Sequence, residues 1–236
     1  MEKLALILDA DDTLWENNLF YERAVDAFAG RMAAEGFDPL EARATFDQVE
    51  RERVPVVGYA PEEFVRSMAL AYHRLCDRHG QAPETGVERE VVAIARQVID
   101  YPIVLLDGVA ETLPILHRCC RLIVLTKGDR QVQQDKVRRS GLECYLEAVH
   151  VVAEKGVQTL HDLLRRYQLD PRCTWMVGNS PRSDVNPALQ AGIGAVYIPY
   201  AFPWSFEDAA IVESERFVRL ERFSQLLEHF SLPEAA

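Results

Sequence analysis

Leu4-Ala5-Leu6-Ile7-Leu8-Asp9-Ala10-Asp11-Asp12-Thr13-Leu14 is an apolar run of strand length that ends abruptly in three aspartates. A continuous apolar run of five residues fits a strand buried on both faces, the environment of a parallel sheet. Like charges this close raise one another's pKa unless a cation shares the site. In open α/β sheets, ligands bind at the carboxyl ends of the strands. Acids after a strand are also common as solvated turns and helix caps. The stretch alone leaves both readings open.

Four further runs have strand length, at Leu122–Leu125, Val149–Val152, Thr174–Val177 and Ala195–Ile198. Helical patterns separate them. Asp129–Ser140 reads as a helix with Gly141 at its left-handed C-terminal position. Similar segments follow Gly156 and Asp184, the second ending at Gly192. Strands alternating with helices predict a doubly wound, Rossmann-like α/β sheet. Residues 17–100 differ. Phe64, Met68, Ala71, Tyr72 and Leu75 share one helical face, and Val91, Val92, Ala95, Val98 and Ile99 another. Pro39, Pro55, Pro61 and Pro83 are expected to break the helices. The expected division is therefore a core of residues 1–16 and 101–236, with a helical insertion of residues 17–100. An aromatic loop at Pro199–Pro203 precedes what reads as a polar helical tail.

Bulk properties narrow the partners. The 236 residues are 48% hydrophobic and 27% charged, with net charge −11, which supports a large folded core. Such a surface repels nucleic-acid backbones and anionic membranes, so neither is expected as a partner. The 5 cysteines form no metal or disulfide pattern. The first apolar run is too short for a signal peptide, and no run reaches membrane-span length. The expectation is a soluble, cytoplasmic protein.

Asp9-Ala10-Asp11-Asp12-Thr13 resembles motif one of the haloacid dehalogenase superfamily, DxDx[TV]. The other motifs follow in order. Val124-Leu125-Thr126 ends a strand on a hydroxyl, Lys155 follows the third strand, and Gly178-Asn179-Ser180-Pro181-Arg182-Ser183-Asp184 is similar to the fourth motif, GDxxxxD. The helical insertion falls where this superfamily places its C1 cap.

The resemblance implies a phosphatase. Asp9 would be the nucleophile and form an aspartyl-phosphate. Asp11 would be the general acid/base, protonating the leaving alkoxide and activating water. Thr126, with the amides of Lys127 and Gly128, would bind the substrate phosphate. Lys155 would neutralise charge. Asp9, the Asp11 carbonyl, Asp184 and Asn179 would hold Mg²⁺. Taken singly, Thr126 and Asp184 read equally well as helix caps and Lys155 as a surface lysine. Only 4 lysines occur, however, at positions 3, 127, 136 and 155, so one at the motif position carries weight. Lys127 is a rival for its role.

Asn179 departs from the family, which usually has aspartate there. It implies weaker Mg²⁺ binding. Asp11 favours phosphoryl chemistry over dehalogenation, since halide leaves without a proton. The expected substrate is a small phosphorylated metabolite, a nucleotide or a sugar phosphate. A phosphomutase and a non-catalytic phosphometabolite-binding protein are the alternatives. The absence of lysine from residues 17–100 disfavours a phosphonatase-like enzyme. Trp15, Asn17, Phe20, Arg53 and Tyr59 are candidates for the pocket entrance, with ordinary packing the favoured reading of each. Phe202 and Trp204 leave a homodimer open.

Overall fold

A computed structural model describes residues 3–233. Chain contacts divide it into two units, Met1–Asn18 with Ile103–Ala236, and Leu19–Pro102.

The first unit is built on a parallel sheet of β1 (Ala5–Leu8), β2 (Arg121–Lys127), β3 (Ala148–Val152), β4 (Thr174–Gly178), β5 (Gly194–Tyr197) and β6 (Phe217–Arg219). Their order across the sheet is β3-β2-β1-β4-β5-β6, and all pairs are parallel. The strand period of two sorts side chains onto opposite faces. Leu6 and Leu8 join Leu122, Val124, Val177 and Val196 in one core layer. Ala5 and Ile7 join Ile123, Leu125, Met176 and Ala195 in the other. Helix α5 (Val109–Cys119) supplies Leu113 and Leu116 to the first layer, and α7 (Val157–Tyr167) supplies Leu160 and Leu163 to the second. Both faces of the sheet are therefore buried, which is why its strands carry unbroken apolar runs. The doubly wound, Rossmann-like α/β class expected from the sequence is the one observed.

This order puts β1 at the centre, between β2 and β4. The chain leaves β1 for β2 on one side and reaches β4 on the other, so the carboxyl end of β1 lies at a topological switch point. The segments after β1, β2, β3 and β4 all emerge at that end.

Helix α6 (Arg130–Ser140) begins at Asp129, whose side chain accepts from the Gln131 and Val132 amides at 2.8 and 3.1 Å. It ends at Gly141, with φ of 72°, as expected for a C-terminal glycine. Between β4 and α8 (Asn186–Gln190) lies one wide turn at Pro181–Val185, in which Val185 N–H donates to the Ser180 carbonyl at 3.0 Å. Single turns of this five-residue kind recur at functional sites.

The second unit carries α1 (Asn18–Ala34, beginning one residue earlier), α2 (Pro39–Val57), α3 (Pro61–Arg78) and α4 (Thr85–Ala95). Its own apolar core includes Phe28, Phe46, Phe64, Met68, Tyr72, Leu75 and Val91. Pro39 and Pro61 each start a helix, where the missing N–H costs nothing. Pro55 does not break its helix as expected. It sits in the last turn of α2, which ends two residues later.

The C-terminal region also differs from the expected helical tail. It holds the short turn Ser205–Glu207, the edge strand β6 and the short helix α9 (Gln225–His229). Three-residue β6 has too few positions to show a period, and it is a strand because β5 offers it an edge. Among the described residues, no helix is long and apolar enough to cross a membrane.

Candidate active site

Asp9 is the first residue past β1. Its N–H donates to the Val177 carbonyl at 2.9 Å, which extends the sheet pairing by one step and fixes the side chain at the switch point. The carboxylate is buried, with 6% of the residue exposed. Its Oδ2 accepts from Thr13 Oγ1 at 2.9 Å, and its Oδ1 accepts from Lys155 Nζ. Thr13 lies one turn on, where the chain coils tightly and Leu14 N–H donates to the Ala10 carbonyl at 2.8 Å.

Lys155 Nζ also donates to Asp184 Oδ1 at 2.7 Å, so one ammonium bridges two carboxylates. All three groups are buried. Burial works against the charge of Lys155, but the Asp184 and Asp9 carboxylates outweigh it and hold the ammonium above its ordinary value. Burial pushes the Asp184 carboxyl up and Asp9 repels its charge, and together they outweigh the pull of Lys155 and leave it above the ordinary value. With both aspartates ionised the cluster has two negative charges against one positive. A buried excess of negative charge among oxygen donors suits a hard divalent cation.

Asp184 is held in place by backbone. Its Oδ2 accepts from the Ser180 N–H at 3.0 Å. Gly178 makes the approach feasible, because a Cβ there would lie 2.2 Å from Asp184 Oδ2. Ser180 is the cap of the turn, accepting from Ser183 N–H at 2.8 Å. Capping thus falls to Ser180, and Asp184 is left to face Lys155. Asn179 is joined to the group through Thr13 Oγ1, which lies 3.3 Å from Asn179 Oδ1. The single Thr13 proton serves Asp9 or Asn179, not both at once.

Asp11 has different neighbours. Its carboxylate accepts from Trp15 Nε1 at 2.7 Å, Gln133 Nε2 at 2.8 Å and Lys136 Nζ at 3.0 Å. Among the described residues, no three His, Cys, Asp or Glu side chains gather into a metal-binding group. Of the side chains expected to hold a metal, Asp9 and Asp184 share Lys155, and Asn179 lies beside Thr13. Magnesium typically keeps several waters, so this sparse donor set fits it.

Thr126 is buried near the end of β2, and Gly128 beyond it has φ of 128°, a conformation that favours glycine. Lys127 Nζ pairs with Glu207, while Lys155 meets Asp9. Thus Lys155, not its rival, faces Asp9.

Several partners escaped sequence reasoning: Thr13, Gln133, Lys136 and Glu207. Gln133 and Lys136 lie three apart on α6, and the buried positions of that helix are Gln133, Lys136 and Val137. A mostly polar buried face was the available signal. For Trp15, packing rather than the pocket entrance is what the structure shows. It is fully buried, and its indole N–H is committed to Asp11. Arg53 pairs with Glu63 and Ser67 within the helical unit.

Asp12 is also buried, and has φ of 61°. Its Oδ1 accepts from the Asn17 and Asn18 amides at 2.8 and 2.9 Å, fixing the chain as it enters α1. Burial pushes its carboxyl well above the ordinary value, opposed by these two donors. Its role is structural.

A family model described as haloacid dehalogenase-like hydrolase matches residues 4–192. The chain is 28% identical over 182 residues to a phosphoserine phosphatase of Thermus thermophilus, covering 74% of this chain and 64% of that one. It is 29% identical over 97 residues to the mouse N-acylneuraminate-9-phosphatase, covering 39% of each. The chain thus spans less than two thirds of the length of these relatives. A crystal structure of a haloacid dehalogenase-like family hydrolase from Xanthomonas campestris is similar with a TM-score of 0.80 and 26% identity, covering 98% of this chain and 91% of that one.

Proposed function

The chain belongs to the haloacid dehalogenase-like hydrolases, and from that premise we propose that it is a magnesium-dependent phosphatase of a small phosphorylated metabolite, working through an aspartyl-phosphate on Asp9. The observation that carries this reading is the buried Asp9–Lys155–Asp184 cluster at the switch point. A carboxylate with a fixed lysine beside it is a nucleophile whose incoming anionic partner is already charge-matched. The two phosphatase relatives support the same reaction class.

Asp9 Oδ attacks phosphorus, the bond from phosphorus to the ester oxygen breaks, and the leaving alkoxide takes from Asp11 a proton that Asp11 has acquired from solvent before the step. Water, deprotonated by Asp11, then attacks the phosphorus, and Asp9 is released with inorganic phosphate. Thr126 and the amides of Lys127 and Gly128 bind phosphoryl oxygens, while Lys155 compensates their charge. Bound Mg²⁺ would be held by Asp9, Asp184, Asn179 and the Asp11 carbonyl, and would supply charge stabilisation. In this reading Trp15, Gln133 and Lys136 orient Asp11. The helical unit acts as the C1-type cap that limits substrates to small molecules, and the protein acts in the cytoplasm.

Phosphate release from a panel of nucleotides, sugar phosphates and phosphoserine tests the reading. Release that requires both Mg²⁺ and Asp9 supports it. Silence from folded protein across the panel counts against it, and an isomerised sugar phosphate would identify a mutase instead.

A further inference from the structure

Glu207 lies far from every motif, in the short turn Ser205–Glu207 between β5 and β6. Its carboxylate nevertheless reaches back among them. Oε1 accepts from Lys127 Nζ, and Oε2 accepts from the Ser180 and Ser183 hydroxyls, each at 2.5 Å. Lys127 Nζ also donates to Ser183 Oγ at 2.9 Å. Lys127 ends β2 beside Thr126, whereas Ser180 and Ser183 follow β4 and lead into Asp184. These are the two strands that flank β1. One carboxylate therefore ties together the loops on either side of the Asp9 strand.

The tie is half-buried and well satisfied. Lys127 and Glu207 side chains are 14% and 15% exposed, so their pairing is not the weak, screened kind found at surfaces. Burial pushes the Glu207 carboxyl up, but Lys127 and the two serine hydroxyls outweigh it and leave it below its ordinary value. The turn that carries it, and the chain just after it, are themselves pinned to the loop after β4 and the start of α8. Arg182 Nη1 donates to the Phe206 carbonyl at 3.1 Å, and Asn186 Nδ2 to the Ala210 carbonyl at 2.9 Å. A network with all its members paired holds its partners rigidly.

We propose that Glu207 is a positioning residue that sets the spacing between the phosphate-binding loop after β2 and the Asp184 loop after β4. The proposal rests on the phosphatase reading, which assigns phosphate to the first loop and metal to the second. Glu207 touches neither ligand. It acts through Lys127, Ser180 and Ser183. Sites of this kind lose about 100-fold in rate for a misplacement near 1 Å, so a tie of this strength has a measurable catalytic share.

The test is calorimetric titration of the full chain with Mg²⁺, and then with inorganic phosphate in Mg²⁺, beside kcat, KM and thermal melting. Glu207→Gln keeps the shape and removes the charge. The expected result is phosphate binding weakened about 10-fold, and kcat lowered about 10- to 100-fold with a smaller change in KM. The melting temperature should change little, and Glu207→Asp should recover most of the binding. Unchanged phosphate and Mg²⁺ affinities in folded Glu207→Gln overturn the proposal. So does an aspartate variant as weak as the glutamine one. If Glu207→Gln does not fold, Ser183→Ala reads the same tie from its other end, where weakened binding supports the proposal and native binding refutes it. A wild-type chain that binds both ligands without turnover removes the phosphatase reading, while the affinity ratio still decides the role of Glu207. A wild-type chain that binds neither ligand removes both.

Discussion

Gly178→Ala probes the packing that brings Asp184 into the site. The new Cβ would lie 2.2 Å from Asp184 Oδ2, 2.4 Å from its Cγ and 2.7 Å from its Cβ. Relaxed carbon–oxygen contacts are about 3.3 Å, so the carboxylate must retreat by about 1 Å. It then loses good geometry to Lys155 Nζ at 2.7 Å and to Ser180 N–H at 3.0 Å. Overpacking costs about 1–3 kcal/mol and a lost hydrogen bond to a charged group about 1.5–3 kcal/mol, together about 3–6 kcal/mol. A displaced metal carboxylate should also cost about 100-fold in kcat/KM. Urea unfolding measures the first effect, and phosphate release by the folded protein the second. Gly194→Ala is the control. Its Cβ would meet the Trp175 ring at 2.2 Å, an equal clash away from Asp184. It should lose stability while its folded fraction keeps near-native kcat/KM. The reasoning is refuted if Gly178→Ala loses less than about 1 kcal/mol and keeps activity, or if both variants lose activity alike.

Lys155→Met leaves Asp9 and Asp184 buried together without their cation, and should destabilise the fold by about 3–5 kcal/mol at neutral pH. Urea midpoints that recover when excess Mg²⁺ is added would confirm the charge argument, and a loss insensitive to Mg²⁺ would not. Asp12 tests the sign of a raised carboxyl. Because burial lifts it when folded, the native state holds its proton more tightly than the unfolded chain. Stability tied to it is present below about pH 4 and falls as pH rises toward the folded value. Asp12→Asn keeps an acceptor oxygen for the two amides, so it should flatten that fall and stay within about 1 kcal/mol of wild type at neutral pH. Asp12→Ala should cost about 2–4 kcal/mol, visible as a lower urea midpoint. Asn179→Asp adds a carboxylate beside Thr13 and should lower the Mg²⁺ concentration for half-maximal turnover; an unchanged or higher requirement contradicts the assigned metal side.

The central strands were legible because burial on both sheet faces demands unbroken apolar runs such as Leu4–Leu8 and Leu122–Leu125. Their order along the chain also carried the motif positions to one end of the sheet. β6 was not legible, since Phe217–Arg219 draws its strand character from the β5 edge. Pro55 misled because it lies in the last turn of α2, where it costs a single hydrogen bond and only Val56 and Val57 follow it in the helix. For the site, Asp9, Lys155 and Asp184 were singled out by the motif resemblance, because each taken alone reads equally well as a turn, a cap or a surface residue. Glu207 could not, because a carboxylate in a loop shows its partners only once β5 and β4 are aligned. Gln133 and Lys136 were hidden on a helix whose buried face is polar, where apolar periodicity has nothing to read.

The central step of the proposed reaction is a covalent phosphoryl group at Asp9. Rapid mixing with the best phosphomonoester and Mg²⁺, acid quenching and peptide mass spectrometry look for it directly. A phosphoryl adduct is expected on the peptide containing Asp9, absent without Mg²⁺ and absent in Asp9→Asn, which should also be inactive. Near-native turnover by clean Asp9→Asn protein, with no adduct on the wild type, would contradict it.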